Sequence, residues 1–223
     1  MASDVDICNA ALGELGVSGL VTSLAPPTGT AYATLCATLY PMARDSLLEM
    51  HTWTFATKRV SLALLSETPP NSWSYAYAAP TDALNFLAVL DPDATDDYSQ
   101  GLVQYGNIAG IYPQNVGVYT TKPYETETDA SGNVIVYTNQ TDAVLRYTGR
   151  VTDTTKFSPM FTESLVKLLK SKLAGPVIKG EEGRQEMKSA LAEFGAIFGK
   201  ATASDANQHR TRVAQSTDWI VNR

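Results

Sequence analysis

Two helical patterns open this chain and two more close it, while the long middle segment follows a different period. Each helical pattern carries one apolar stripe, so none is stable alone. Stripes from the two ends must bury one another. Residues 1–59 and 156–204 are therefore predicted to form one helix bundle, with residues 60–155 as a domain inserted into it and 205–223 as an extended tail. The fold class expected is α+β: a helix bundle built from both chain ends, an inserted antiparallel β-domain and an extended C-terminal tail.

Ser3 can cap the first helix, and Asp4 and Asp6 suit the positive end of its dipole. Val5, Cys8, Leu12 and Leu15 recur at three- and four-residue steps, and Gly16 offers a left-handed stop. A second helix is expected from about Thr30 to Met50, with Tyr32, Cys36, Leu39, Ala43, Leu47 and Met50 as its stripe and Arg44, Asp45 and Glu49 on its wet side. Pro41 removes one backbone bond at a cost of about 3 kcal/mol, so a kink or a fresh start is expected there. Near the other end Ser158 caps a helix with Pro159 at its first position. Phe161, Leu165, Leu168, Leu169 and Leu173 form the stripe, Lys167 and Lys170 project elsewhere, and Gly175-Pro176 kinks or ends the helix. The last helix is expected over about Glu181–Ala203, with Met187, Leu191, Phe194 and Phe198 facing inward.

Between these ends, "VSLALL", "SYAY", "ALNFLAVL", "NVIVYT" and "AVLRYTG" alternate with turn residues and read as strands. "ETETDASGNVIVYTN" reads as a hairpin turning at Asp129–Gly132. The stretch "DPDATDDYSQGLVQYGNIAGIYPQN" reads as a long loop. Eleven tyrosines cluster in the presumed strands, and Trp53 and Trp73 flank the change from helix to strand. These aromatics are expected to fill the core between the two parts, or to anchor a subunit interface.

Charge narrows the function. The net charge is -6, with ten acidic residues and one lysine, Lys122, in 60–143, and eight basic and five acidic residues in 156–200. An acidic centre repels DNA phosphates, so tight nucleic-acid binding is not expected. No apolar run approaches the roughly 20 residues of a membrane span, and the N-terminus lacks the features of a signal peptide. A cytoplasmic site of synthesis is expected. Cys8 and Cys36 sit on apolar faces as small hydrophobes, without the spacing of a disulfide framework or a metal site.

No catalytic constellation emerges, and no cofactor or metal is expected. His51 stands beside Trp53 in a packing position, and His209 lies among arginines in the tail. Asp91, Asp93, Asp96 and Asp97 lack the glycine and distal glutamate of a calcium loop and read as a solvated acidic loop. Glu181 and Glu182 serve a helix start. Carboxylates remote in sequence, such as Glu14, Glu67 and Glu163, are the residues to substitute if the chain were a tail-associated enzyme that degrades cell wall, the alternative to a structural role alongside other virion binding proteins.

"ICNAALGELG", "TLYPMARDSLLEMHTWTFATKR", "WSYAYAAPTDAL" and "TDAVLRYTGRVTDTTKFSPMFTESLVKLLKSKLA", in this order, resemble the tail tubular protein A family of tailed bacteriophages, which are head-to-tail adaptors. The most specific parts are the Tyr-Pro-x-Ala-Arg stretch at Tyr40–Arg44 and the Trp-x-Phe-Ala stretch at Trp53–Ala56. The resemblance reaches to about residue 200 and fades in Asp91–Tyr124 and the last twenty residues. It implies a virion protein: a dodecameric ring beneath the portal protein, continuing the DNA channel to the tail nozzle protein, with no sequence-specific hold on the DNA that passes. It also implies a helix bundle with an inserted β-domain and a C-terminal segment that reaches a neighbour.

That last implication fits "DANQHRTRVAQSTDWIVNR", a polar tail that ends on apolar residues. Ordering each residue costs about 1–2 kcal/mol, which a large burial at a partner surface can offset. Trp219 and Ile220 are the expected anchors, with Arg210 and Arg212 as rim charges. The hairpin is the second expected interface, through Glu125, Glu127, Val134 and Val136 on an exposed ribbon.

Overall fold

The Ser3 side chain accepts from the Asp6 N–H at 3.1 Å, and the Asp6 carboxylate accepts from the Ser3 N–H at 2.9 Å. This reciprocal cap meets two of the donors that a helix start leaves open, and it begins α1 (Asp4–Glu14). The structure, a computed structural model, describes residues 2–17, 21–70, 72–92 and 121–208. After α1 come α2 (Ala31–Glu49), β1 (Thr57–Ser61), β2 (Ala63–Leu64), β3 (Tyr75–Ala78), β4 (Ala83–Leu90), β5 (Tyr124–Thr128), β6 (Val134–Thr138), β7 (Val144–Gly149), α3 (Pro159–Ile178) and α4 (Gly180–Ala206). The protein is α+β: the N-terminal helices pack with α3 and α4, and two antiparallel sheets are inserted between them along the chain.

Two prolines fail to break their helices. Pro41 lies inside an unbroken α2, and Pro176 inside α3. In α2, Cys36, Tyr40, Ala43 and Leu47 are buried on both sides of the proline, and this packing outweighs the lost backbone bond. α3 stops at Lys179, whose φ of 62° cannot continue a right-handed helix, and Gly180, at φ 63°, opens α4. Immediately beyond, a Cβ on Gly183 would stand 3.1 Å from the carbonyl oxygen of Ala174. Glycine there lets α4 lie directly against α3.

In α4, two of the four residues predicted to face inward do so: Phe194 is buried and Phe198 packs against the core. Gly183, Ala190, Phe194, Ala201 and Asp205 are buried, whereas Met187 and Leu191 are 41% and 54% exposed. Small residues mark the true stripe, and a hydrophobicity pattern underweights them. In α1 the stripe is Ile7, Cys8, Ala11 and Leu12, with Val5 and Leu15 only half-buried. Arg44, expected on the wet side of α2, is buried too.

The chain divides into two units. One comprises Met1–Arg59, Pro80–Leu87 and Arg146–Ala206; the other includes Val60–Ala79 and Ala88–Leu145. In the first unit α3 packs against α1, α2 and α4. Its core joins Ile7 and Leu12 to Cys36, Leu47, Trp53, Phe161, Leu165, Leu169, Leu173 and Phe194. Trp53 is fully buried; its Nε1 donates to the Leu47 carbonyl at 2.8 Å, and its ring meets Phe161 edge-on at 5.0 Å. Phe55 lies 5.0 Å from Phe161, and Ala56 is buried. The Trp-x-Phe-Ala stretch is thus a core anchor of the helical unit. In the second unit Trp73 packs with Leu65 against Ala76, Ile135 and Tyr137. Trp53 and Trp73 thus belong each to the core of its own unit.

The sheet of the second unit has the order β2-β3-β6-β5, every neighbour antiparallel. A three-stranded sheet has the order β1-β7-β4.

Candidate assembly surfaces

The hairpin of β5 and β6 turns on Asp129. Its carboxylate accepts from the backbone N–H groups of Ser131 at 2.8 Å and Asn133 at 2.7 Å, and from the Asn133 side chain at 2.9 Å. Gly132 supplies the left-handed residue, at φ 87°. The Asn133 side chain and backbone hold the Asp129 carboxyl below the usual carboxylate range. The register runs from Tyr124 opposite Thr138 to Thr128 opposite Val134.

The two arms differ. β6 also pairs with β3, so it is an interior strand, and Ile135, Val136, Tyr137 and Thr138 are buried. Val136 therefore offers no side chain to a partner; Val134 is 37% exposed. β5 is the edge, with Glu125, Thr126, Glu127 and Thr128 all exposed. The predicted two-armed ribbon is in fact one exposed edge strand laid on a buried one.

A negative field gathers beside that edge. Trp73 Nε1 donates to Glu125 at 2.9 Å. The Tyr137 phenol is pushed above its ordinary value, first by burial and then by the carboxylates of Glu127, Glu67, Asp129 and Glu125. These four acids lie close enough to act on one hydroxyl, which their sequence positions alone do not reveal.

The other charged clusters belong to the helical unit. Lys167 and Lys170 face Glu14 of α1 and Glu186 and Glu193 of α4, with contacts of 2.8 Å (Lys167–Glu14), 3.1 Å (Lys167–Glu193) and 3.0 Å (Lys170–Glu186). Both lysines project off the apolar stripe, towards acids of neighbouring helices, and the Lys170 side chain is 7% exposed. Glu14 raises the Lys167 pKa against burial. Burial alone would lower that of Lys170, but Glu186 and Glu193 raise it. Lys167 in turn lowers the pKa of Glu193.

Two buried side chains close this unit. Asp205, in the last turn of α4, accepts from the Thr54 N–H at 3.1 Å and the Thr54 hydroxyl at 3.2 Å, with His51 Nε2 at 3.4 Å. Arg44 binds Asp45 at 2.7 Å, and Asp45 also receives Arg150 at 2.9 Å. Burial pushes the neighbouring Tyr40 phenol up to about 12, with the Arg44 charge working against it. Cys8 and Cys36 are free, buried and hydrogen-bonded to each other, and that bond together with burial raises the Cys8 thiol. Asp205 was missed in sequence because it sits where the apolar pattern has already stopped.

Of the remaining expected site residues, Trp219, Ile220, Arg210 and Arg212 lie outside the described residues, as do Asp93, Asp96 and Asp97. Asp91 stands 3.9 Å from Lys122. Glu67 and Glu163 are exposed, while Glu14 is bound to lysine. Among the described residues no three His, Cys, Asp or Glu side chains are grouped to hold a metal ion, and no helix is long and apolar enough to cross a membrane. No protein-family model matches the chain. No curated protein matches it by sequence either.

Proposed function

We propose that this protein is a structural head-to-tail adaptor of a tailed phage, whose copies form a ring under the portal and extend the DNA channel to the tail nozzle. The observation that carries the reading is the architecture: a bundle assembled from both chain ends, with antiparallel sheets inserted between them. That is the plan implied by the resemblance of the Tyr40–Arg44 and Trp53–Ala56 stretches. Both stretches are core structure here, so the resemblance rests on positions that shape the fold. The charged side chains of the helical unit support the same reading. Glu14, Glu186 and Glu193 are matched to lysines, an arrangement suited to fixing helices rather than to moving protons.

The ring holds DNA loosely. Lys122 is the only Lys or Arg in 60–143, and tight duplex binding needs several phosphate contacts. The chain resides in the virion connector after assembly in the host cytoplasm. Sedimentation tests this reading: the isolated chain should run as a monomer or a weak oligomer and co-sediment with portal. A stable ring at low micromolar concentration without portal, or failure to co-sediment, counts against it.

A further inference from the structure

In the helical unit the clustered carboxylates are met by lysines. The acids of the four-stranded sheet are not: among the described residues no ion pair reaches Glu67, Glu125, Glu127 or Asp129. Antiparallel register sets Glu125 directly opposite Tyr137 and Glu127 opposite Ile135, and Ala76 flanks Tyr137 on its other side. Side chains opposite one another across a ladder share a face of the sheet, so Glu125 and Glu127 stand beside Tyr137. Leu65 and Trp73 pack on the same apolar patch, and the Trp73 indole donates to one oxygen of Glu125 at 2.9 Å.

Tyr137 marks the middle of this face. It is 7% exposed, and its hydroxyl makes no hydrogen bond to any described residue. The carboxylates of Glu127, Glu67, Asp129 and Glu125 all act on that hydroxyl. A covered hydroxyl without a partner, ringed by uncompensated negative charge, calls for a donor that is also a cation. The acids are too spread for a bare ion: among the described residues no three are grouped to hold a metal. A wider cation can touch two carboxylates and a hydroxyl together, and the half-buried Trp73 ring offers it a π face.

We propose that this face of the sheet docks an arginine side chain from a basic segment of a partner protein, its guanidinium set between Glu125 and Glu127, donating to the Tyr137 hydroxyl and lying against the Trp73 ring. Charge complementarity names the occupant, and geometry selects arginine over lysine. A guanidinium presents five donors in a planar fork and stacks on aromatic rings, whereas an ammonium is a compact, strongly hydrated point charge. The Trp73 indole steadies Glu125 through one oxygen and leaves the other for the ligand. Every group of the site belongs to this one sheet and the chain flanking it. The inference does not rest on the adaptor reading, and a test without portal lets each fail separately.

The test titrates the full-length isolated chain with a short capped Gly-Ser peptide carrying one arginine. The readout is the indole N–H resonance of Trp73, identified by its loss in Trp73→Phe. The expected result is a saturable shift whose midpoint rises with salt. The same peptide with citrulline, which keeps the shape without the charge, should give no shift. The lysine peptide should bind about fivefold more weakly, as should the arginine peptide to Tyr137→Phe, each having lost about one hydrogen bond. Glu125→Gln/Glu127→Gln should abolish the shift and leave the helical circular dichroism signal unchanged. No saturable shift overturns the proposal. So does a shift that citrulline reproduces, that lysine matches, that Tyr137→Phe leaves as tight, or that survives the loss of both glutamates.

Discussion

The helical unit and the four-stranded sheet are held by unequal means. A continuous core threads α1 to α4 around Trp53, Phe161 and the leucines of α3. The sheet buries Ala76, Ile135 and Tyr137, with Leu65 and Trp73 at its margin, and its edge strands β2 and β5 are exposed. Burial of apolar surface is the main stabilising term in folding, so the helical unit should dominate cooperative unfolding. The sheet has more to gain from a partner. A protein built this way can fold first and assemble afterwards.

The comparison is broken most severely at the two tryptophans. Trp53→Ala should cost about 3–5 kcal/mol, because a fully buried ring leaves a cavity that the helices cannot close. Trp73→Ala should cost about 1 kcal/mol and leave the helical circular dichroism signal intact. Urea titrations of both variants check this; equal losses would mean that the two cores are equally deep.

Next comes the last turn of α4. Asp205→Ala removes the acceptor of the Thr54 N–H and hydroxyl, and should cost about 1–3 kcal/mol in the same titration. Asp205→Asn should recover part of that loss. Deletions of the tail should accordingly begin after Gln208, since Asp205 belongs to the bundle.

The lysine network should matter less. Lys170→Ala leaves Glu186 without its lysine and Glu193 with Lys167 alone, and both acids keep a third or more of their exposure. The loss should be about 1–2 kcal/mol, less than for a fully buried pair. Its pH dependence has a definite sign. Glu193 has a folded pKa below its ordinary 4.5, so its contribution is complete above that value and is lost as pH falls through the lowered one. Lys167 and Lys170 have folded values above 10.5, so theirs is complete below 10.5 and is lost as pH rises through the raised ones. Thermal melts of Lys170→Ala should show both limbs flattened relative to the native chain.

Smallest of all should be Glu125→Lys/Glu127→Lys, which lies on the exposed strand. Its midpoint in urea should stay within about 0.5 kcal/mol of native. A larger loss would mean that the edge already contributes to the fold.

Much of this contrast was legible in sequence. Ser3 and Ser158 cap helices as expected, and "ALNFLAVL" is β4 residue for residue. What escaped was decided by packing. Pro41 and Pro176 read as a kink or a break, but both helices run on through them; local propensity cannot weigh the burial around them. Met187 and Leu191 read as core because apolar size counts for more in a pattern than the glycine and alanines that let helices touch. Arg44 read as wet-side because its burial comes from tertiary packing rather than from its neighbours in sequence, and the partner of Lys170, Glu186, comes from another helix. The hairpin was plain, but its burial was not, since nothing in "NVIVYT" announces that β3 will cover its far side.

The adaptor reading is tested most directly by electron microscopy of the purified protein, alone and mixed with portal. Isolated chains should show no ring. With portal, a single ring of copies should sit on one end of the portal, with its channel continuous with the portal channel. Particles that never form rings with portal, or rings that stack with no portal present, would contradict the account.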